Sequence, residues 1–193
     1  MVILTPFSHG ITKRIANEDL SSFDYIFCWL GNTDLLVSII KLIEDKMNLE
    51  HDVSEVGVQI ILLVEDGIRF YSSILPNLYK FVLKQSQEFS TEALNAHQRT
   101  LRMRGRPKIV LARTYNEAIG IYEKYKNNIL GVITDVRFPR VERGEKDALA
   151  GIKLCAAIRK EDPFVPLIIQ SSESENVSYA AKYDAAFIDK NSK

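Results

Sequence analysis

The sequence predicts an α/β protein built on a doubly wound five-stranded parallel sheet, and three observations predict it. Five short apolar runs of strand length recur from residue 58 to residue 190. A helical stretch separates each run from the next, the pattern of parallel strands covered by helices on both faces. The runs also end in carboxylates, hydroxyls and a lysine, at the strand ends where open α/β sheets place their working groups.

Each element follows in turn. The first run, "VQIILLV" (58–64), leads into the helical "IRFYSSILPNLYKFVLKQ". "KIVLA" (108–112) precedes the helical "YNEAIGIYEKYKNN", and "ILGVITDV" (129–136) precedes "GIKLCAAIRKE". "VPLIIQSS" (165–172) is followed by "ENVSYAAKY", and "AAFIDK" (185–190) is the fifth run. Two stretches interrupt the order. Residues 85–107 are too long for an ordinary connection, and their Glu, Ala, Leu and Gln content predicts an extended or additional helix ended by Gly105 and Pro107. The second, "RVERGEKDALAG", is a polar insertion after the third strand.

The first fifty residues have a pattern of their own. "VILTPFS" and "FDYIFCW" read as strands, and "ITKRIANEDL" between them as a weakly patterned helix. "TDLLVSIIKLIEDKM" reads as an amphipathic helix with Leu36, Ile39, Ile40, Ile43 and Met47 on its core face and Asn32 or Thr33 as N-cap. "NLEHDVSEVG" then reads as a linker. The expected division is a segment 1–50, a linker 51–57 and a domain 58–193.

Composition narrows the function classes. Twenty-five basic residues balance 25 acidic ones, so bulk charge points to neither a nucleic-acid nor a membrane partner. The apolar runs are too short to span a bilayer, and the N-terminus has no secretory signal. Cys28 and Cys155 lack metal-ligand spacing, as expected of structural thiols in a reduced, cytoplasmic setting. The run 99–108, "RTLRMRGRPK", holds four arginines and a lysine but no aromatic residue, and reads as a solvated or partner-docking face. His9, His51 and His97 are scattered and read as surface residues, and Trp29 as a packing residue.

The strand ends carry the chemistry. The first ends in Glu65 and Asp66, the third in Asp135, the fourth in Ser171 and Ser172, and the fifth in Asp189 and Lys190. Converging carboxylates repel one another unless a cation neutralises them. Mg²⁺ suits such a set, since it takes a few carboxylates, water and phosphate oxygens. With Glu65, Asp66 and Asp135 around the metal, Asp135 is placed to act as a nucleophile and form an aspartyl phosphate. Lys190 and the Ser171 hydroxyl would then bind the phosphoryl oxygens, because phosphoryl transfer depends chiefly on positioning and charge neutralisation.

These residues resemble the receiver domain of two-component response regulators over about 135 of the 193 residues. The matching stretches are "ILLVED", "VITDVRFP" with Pro139 four residues after Asp135, Gly151 opening the third helix, "PLIIQSS" and "FIDK". The resemblance implies the flavodoxin-like strand order 2-1-3-4-5 and a switch aromatic at Phe187. It implies phosphorylation by a histidine kinase or phosphotransfer protein, and output through a fused or separate domain. It also implies a phosphorelay module rather than an enzyme. Glu65 stands where the family more often has Asp, Asn191 follows the lysine where Pro is usual, and the fifth helix is missing from the chain. Against the same template, residues 2–48 resemble the C-terminal half of a second, degenerate receiver, with Thr5 at the switch hydroxyl and Cys28 at the lysine position. Such a half would lie against the bare sheet face or pair with another copy, giving a homodimer through residues 1–50. The tandem is also similar to the N-terminal region of large bacterial phosphoenolpyruvate synthase or pyruvate phosphate dikinase-like proteins.

Two further functions compete. One is a non-switching scaffold of the same fold within such a larger enzyme. The other is a phosphoaspartate-forming hydrolase, which would need a second aspartate two residues after the nucleophile. Arg137 stands there, and is expected instead to set how long a phosphoaspartate lasts.

Overall fold

The computed structural model describes residues 1–6, 23–91 and 105–192. Its elements are β1 (Val2–Pro6), β2 (Tyr25–Trp29), α1 (Asp34–Val56), β3 (Ile60–Val64) and α2 (Ile68–Thr91). They continue with β4 (Lys108–Ala112), α3 (Tyr115–Tyr125), β5 (Ile129–Asp135), β6 (Phe138–Pro139) and β7 (Lys146–Asp147). The last are α4 (Ala150–Glu161), β8 (Leu167–Ser171), α5 (Val177–Lys182) and β9 (Ala186–Asp189). The main sheet is parallel throughout, in the order β4-β3-β5-β8-β9. Numbered within the sheet by chain order this is 2-1-3-4-5, the expected flavodoxin-like arrangement. The chain reverses its direction of travel between β3 and β5, so the crevice opens at their carboxyl ends.

The central strands are apolar on both sides, as burial between two helical layers requires. Leu62, Val64, Val132, Leu167 and Ile169 face a layer that includes Ala118, Tyr122, Leu154, Cys155 and Ile158. Leu63, Ile109, Leu111 and Ile133 face the other layer, where Tyr71, Leu75, Tyr79 and Val82 of α2 cover them. Both cysteines are buried free thiols. Among the described residues no helix is long and apolar enough to cross a membrane.

The N-terminal segment lies on the second layer. β1 and β2 form a separate two-stranded parallel sheet against α2. The Tyr71 hydroxyl donates to the Ile26 carbonyl, and the Cys28 amide donates to Ser72 Oγ at 2.9 Å. Helix α1 packs on α2 and β4, which is the β4 side of the sheet and not the side of β8 and β9. Ala186 and Ile188 of β9 remain exposed there.

Three expectations need correction. The buried face of α1 is Leu35, Ser38, Leu42, Asp45 and Leu49, whereas Leu36, Ile40 and Met47 are exposed. The expected linker 51–57 is the last turns of α1, which run to Val56 and stop at Gly57 in the left-handed conformation (φ 70°). Asp52 within it pairs with Lys108 at 2.6 Å, a contact that holds those turns in place. The basic run is not a solvated face where it is described, since Arg106 and Lys108 are both buried. The expected helix over 11–20, most of the extension over 85–107, His9 and His97 lie outside the described residues. At the N-terminus of α1, Asn32 Oδ1 accepts from the Asp34 amide at 2.9 Å, and Thr33 makes no capping bond.

Candidate phosphoryl-transfer site

The strand ends meet as the sheet order dictates. One carboxylate oxygen from each of Glu65, Asp66 and Asp135 lies within 4.8 Å of the others. Glu65 follows β3 and is almost wholly buried, with Oε1 accepting from the Gly67 amide at 2.9 Å. Lys190, just past β9, reaches across with its ammonium 2.5 Å from Glu65 Oε2 and 2.8 Å from Asp135 Oδ1. The same ammonium lies 4.4 Å from the centre of the Phe70 ring. The polar cluster therefore has an apolar wall, which lowers the local dielectric and strengthens each interaction.

Electrostatics mark the site as under-neutralised. Burial and then the Asp135 charge push the Glu65 carboxyl up to about 7, against the opposing pull of Lys190. Burial likewise raises Asp66, although Lys146 opposes it. Asp66 Oδ1 is buried and has no hydrogen-bond partner among the described residues. A buried carboxylate oxygen left unpaired is costly unless something else occupies it. The donor set of three carboxylates, one of them with an orphaned oxygen, fits a hard divalent cation such as Mg²⁺.

The local sequence explains how Asp135 reaches the rim. Gly151, the second residue of α4, packs so closely that a β-carbon there would lie 1.9 Å from the Asp135 carbonyl oxygen. Its amide donates to Val136 O at 3.0 Å, tying the start of α4 to the end of β5.

The remaining expected residues fall as follows. Ser171 ends β8 and is buried, but its Oγ accepts from the Glu173 amide at 3.0 Å and from Asn176 Nδ2 at 2.9 Å. It thus serves the turn after β8. Phe187 is half-buried and packs with the core layer that holds Ile169. Arg137 is exposed on the loop after Asp135.

One residue at the site was not anticipated. The insertion after β5 is an antiparallel hairpin, β6 with β7, and Lys146 on it sets its ammonium 2.6 Å from Asp66 Oδ2. Within the sequence it is one lysine in a polar stretch, and only its strand pairing with Pro139 aims it at the rim.

The sequence matches no family model and no curated protein. Among solved structures it is similar to a response regulator receiver domain protein from Clostridium thermocellum, at 22% identity and a TM-score of 0.45, over 70% of this chain and 85% of that one. The class defined by the sheet order and the rim is a five-stranded, flavodoxin-like α/β domain with an acidic strand-end site.

Proposed function

We propose that residues 58–193 act as a phosphoacceptor receiver, with Asp135 taking a phosphoryl group. The observation that carries this reading is the convergence of Glu65, Asp66 and Asp135 with a lysine paired to two of them. Lys190 fixes Asp135 Oδ1, and the other oxygen attacks the phosphorus of the donor. The donor's bond to phosphorus breaks, its leaving group departs with the electron pair, and an acyl phosphate remains on Asp135. Glu65 and Asp66 would hold Mg²⁺ with Asp135, and Mg²⁺ supplies charge neutralisation for the transferring group. Lys190 then serves the new phosphoryl oxygens. Ser171 must leave Asn176 and Glu173 to reach them, and Phe187 follows it inward, which remodels the surface over β8 and β9.

Read this way, the domain is a relay module with only self-phosphorylation and slow self-dephosphorylation. Its donor is a histidine kinase or phosphotransfer protein, and its output a partner or fused domain in the cytoplasm. Residues 1–50 act as a degenerate half-receiver without phosphoryl chemistry, with Cys28 at the lysine position. They also offer a homodimer contact, which sedimentation at rising concentration would reveal. Arg137 tunes the life of the phosphoaspartate, and an unchanged lifetime in Arg137→Ala would retire that role.

The test is to add Mg²⁺ and a small phosphodonor and to weigh the intact protein. One added phosphoryl group in the wild type and none in Asp135→Asn is the expected result. No addition to the folded, Mg²⁺-loaded protein would favour the second reading, a non-switching scaffold within a larger phosphoenolpyruvate synthase-like enzyme. The engagement of Ser171 by Asn176 is the observation in favour of that alternative.

A further inference from the structure

Lys146 sits on the hairpin, yet its only ion pair among the described residues is with an acid of the rim. The two ends of the hairpin are anchored independently of it. Phe138 is fully buried in the core layer behind the site. Asp147 Oδ1 accepts from the Leu149 amide at 3.0 Å, and Asp147 Oδ2 pairs with Lys153 at 2.6 Å. These contacts fix where β7 runs, so the ammonium is delivered to Asp66 from a defined point and is not a wandering surface charge.

The consequence is electrostatic. Three carboxylates face two ammonium groups, Lys190 and Lys146. Lys190 serves Glu65 and Asp135, leaving Lys146 as the one ammonium paired with Asp66 among the described residues. One oxygen of Asp66 is held by Lys146 and the other has no partner among the described residues. A divalent cation drawn to that orphaned oxygen meets a fixed positive charge on the same carboxylate. A like charge within a few ångströms opposes binding, and solvent at the half-exposed lysine screens only part of the effect.

We propose that Lys146 is a tethered counter-cation that competes with the divalent metal ion for Asp66, so that metal loading releases Lys146 and the turn between the two anchored ends of the hairpin. The proposal rests on the phosphoacceptor reading of the same site and adds its regulation: metal occupancy is read out as the position of residues 140–146. A partner that pulled the hairpin away would in turn raise the site's affinity for the metal, since linkage is reciprocal.

Calorimetric titration of the full chain with Mg²⁺ tests this, using wild type, Lys146→Met and Lys146→Arg. The lysine side chain is about half exposed, so Met at this position keeps the stem without threatening the fold. The expected result is about tenfold tighter Mg²⁺ binding in Lys146→Met, in line with the influence of one adjacent charge, and wild-type affinity in Lys146→Arg. Hydrogen exchange over 140–146 should quicken when Mg²⁺ is added to the wild type. Equal or weaker binding in Lys146→Met, with Mg²⁺ binding intact in the wild type, would overturn the proposal and leave the phosphoacceptor reading standing. Tighter binding with unchanged exchange would overturn the hairpin release. If neither protein bound Mg²⁺, the metal site itself would fall, and this proposal with it.

Discussion

The described residues hold two clusters of buried charge, and they are built on opposite principles. At the amino end of β4, Asp45 of α1 is wholly buried and every demand it makes is met. Arg106 donates to both its oxygens at 3.1 and 2.6 Å, the Tyr79 hydroxyl donates at 2.9 Å and the Ile109 amide at 3.0 Å. Lys108 stands 3.8 Å away and is paired with Asp52. At the carboxyl ends of β3 and β5, by contrast, Asp66 keeps an orphaned oxygen and Glu65 is pushed up to about 7. The first cluster locks the N-terminal helix to the sheet. The second leaves a buried acceptor unmet among the described residues. Burial of a carboxylate says little by itself; the state of its hydrogen bonds separates a structural lock from a site.

The comparison is broken or upheld most directly at Asp45. Asp45→Ala would leave Arg106 buried and uncompensated and would strip acceptors from Tyr79 and Ile109. Removing one partner of a buried pair typically costs about 3–5 kcal/mol. Urea unfolding should show a loss of that order, with Mg²⁺ affinity at the rim unchanged. A loss below about 1 kcal/mol would mean that the seam is not a lock.

Glu65 should behave in the opposite sense. Its folded value of about 7 lies above the ordinary 4.5, so folding takes up a proton between those values. The stability tied to that proton is fully present below about 4.5 and is lost as pH rises through about 7. Without divalent cations, the wild-type urea midpoint should therefore fall from pH 5 to pH 8, by up to roughly 2–3 kcal/mol in stability. Glu65→Gln should flatten this dependence and be the more stable protein at pH 8. A flat wild-type profile would make Glu65 a settled ion pair like Asp45 and erase the contrast.

The two clusters were unequally legible in the sequence. The rim could be read because the sheet order alone determines which strand ends meet, and Glu65, Asp66, Asp135 and Lys190 each sit at one. Lys146 could not, because a two-residue strand pair within a polar insertion leaves no periodic trace. The α1 seam was misread for a different reason. The helix is apolar over more than one face, with Leu35, Leu36, Val37, Ile39, Ile40, Leu42 and Ile43 all available. What selects the buried face is Asp45, which needs Arg106, a residue 61 positions away. Hydropathy places aspartate among the types least expected in a core, so the residue that fixes the packing is one that pattern reading discards. The same pairing drew Arg106 and Lys108 out of an apparently solvated basic run.

The smallest expected effect sharpens the contrast by separating stability from site geometry. Gly151→Ala would place a methyl group against the Asp135 carbonyl oxygen, and a backbone atom can yield only by moving the strand end or the start of α4. Overpacking of this kind costs about 1–3 kcal/mol, and the better helix propensity of alanine returns up to about 1. The net loss should be about 1 kcal/mol, well below that at Asp45. Its effect on the rim should be disproportionate, because the displaced atom belongs to the residue that carries the proposed phosphoacceptor. Gly151→Ala should therefore bind Mg²⁺ more weakly than wild type while losing only about 1 kcal/mol in urea unfolding, the reverse of Asp45→Ala. If Mg²⁺ affinity were unchanged and the stability loss exceeded about 3 kcal/mol, Gly151 would be a core packing residue, and the close approach of α4 would have no bearing on the site.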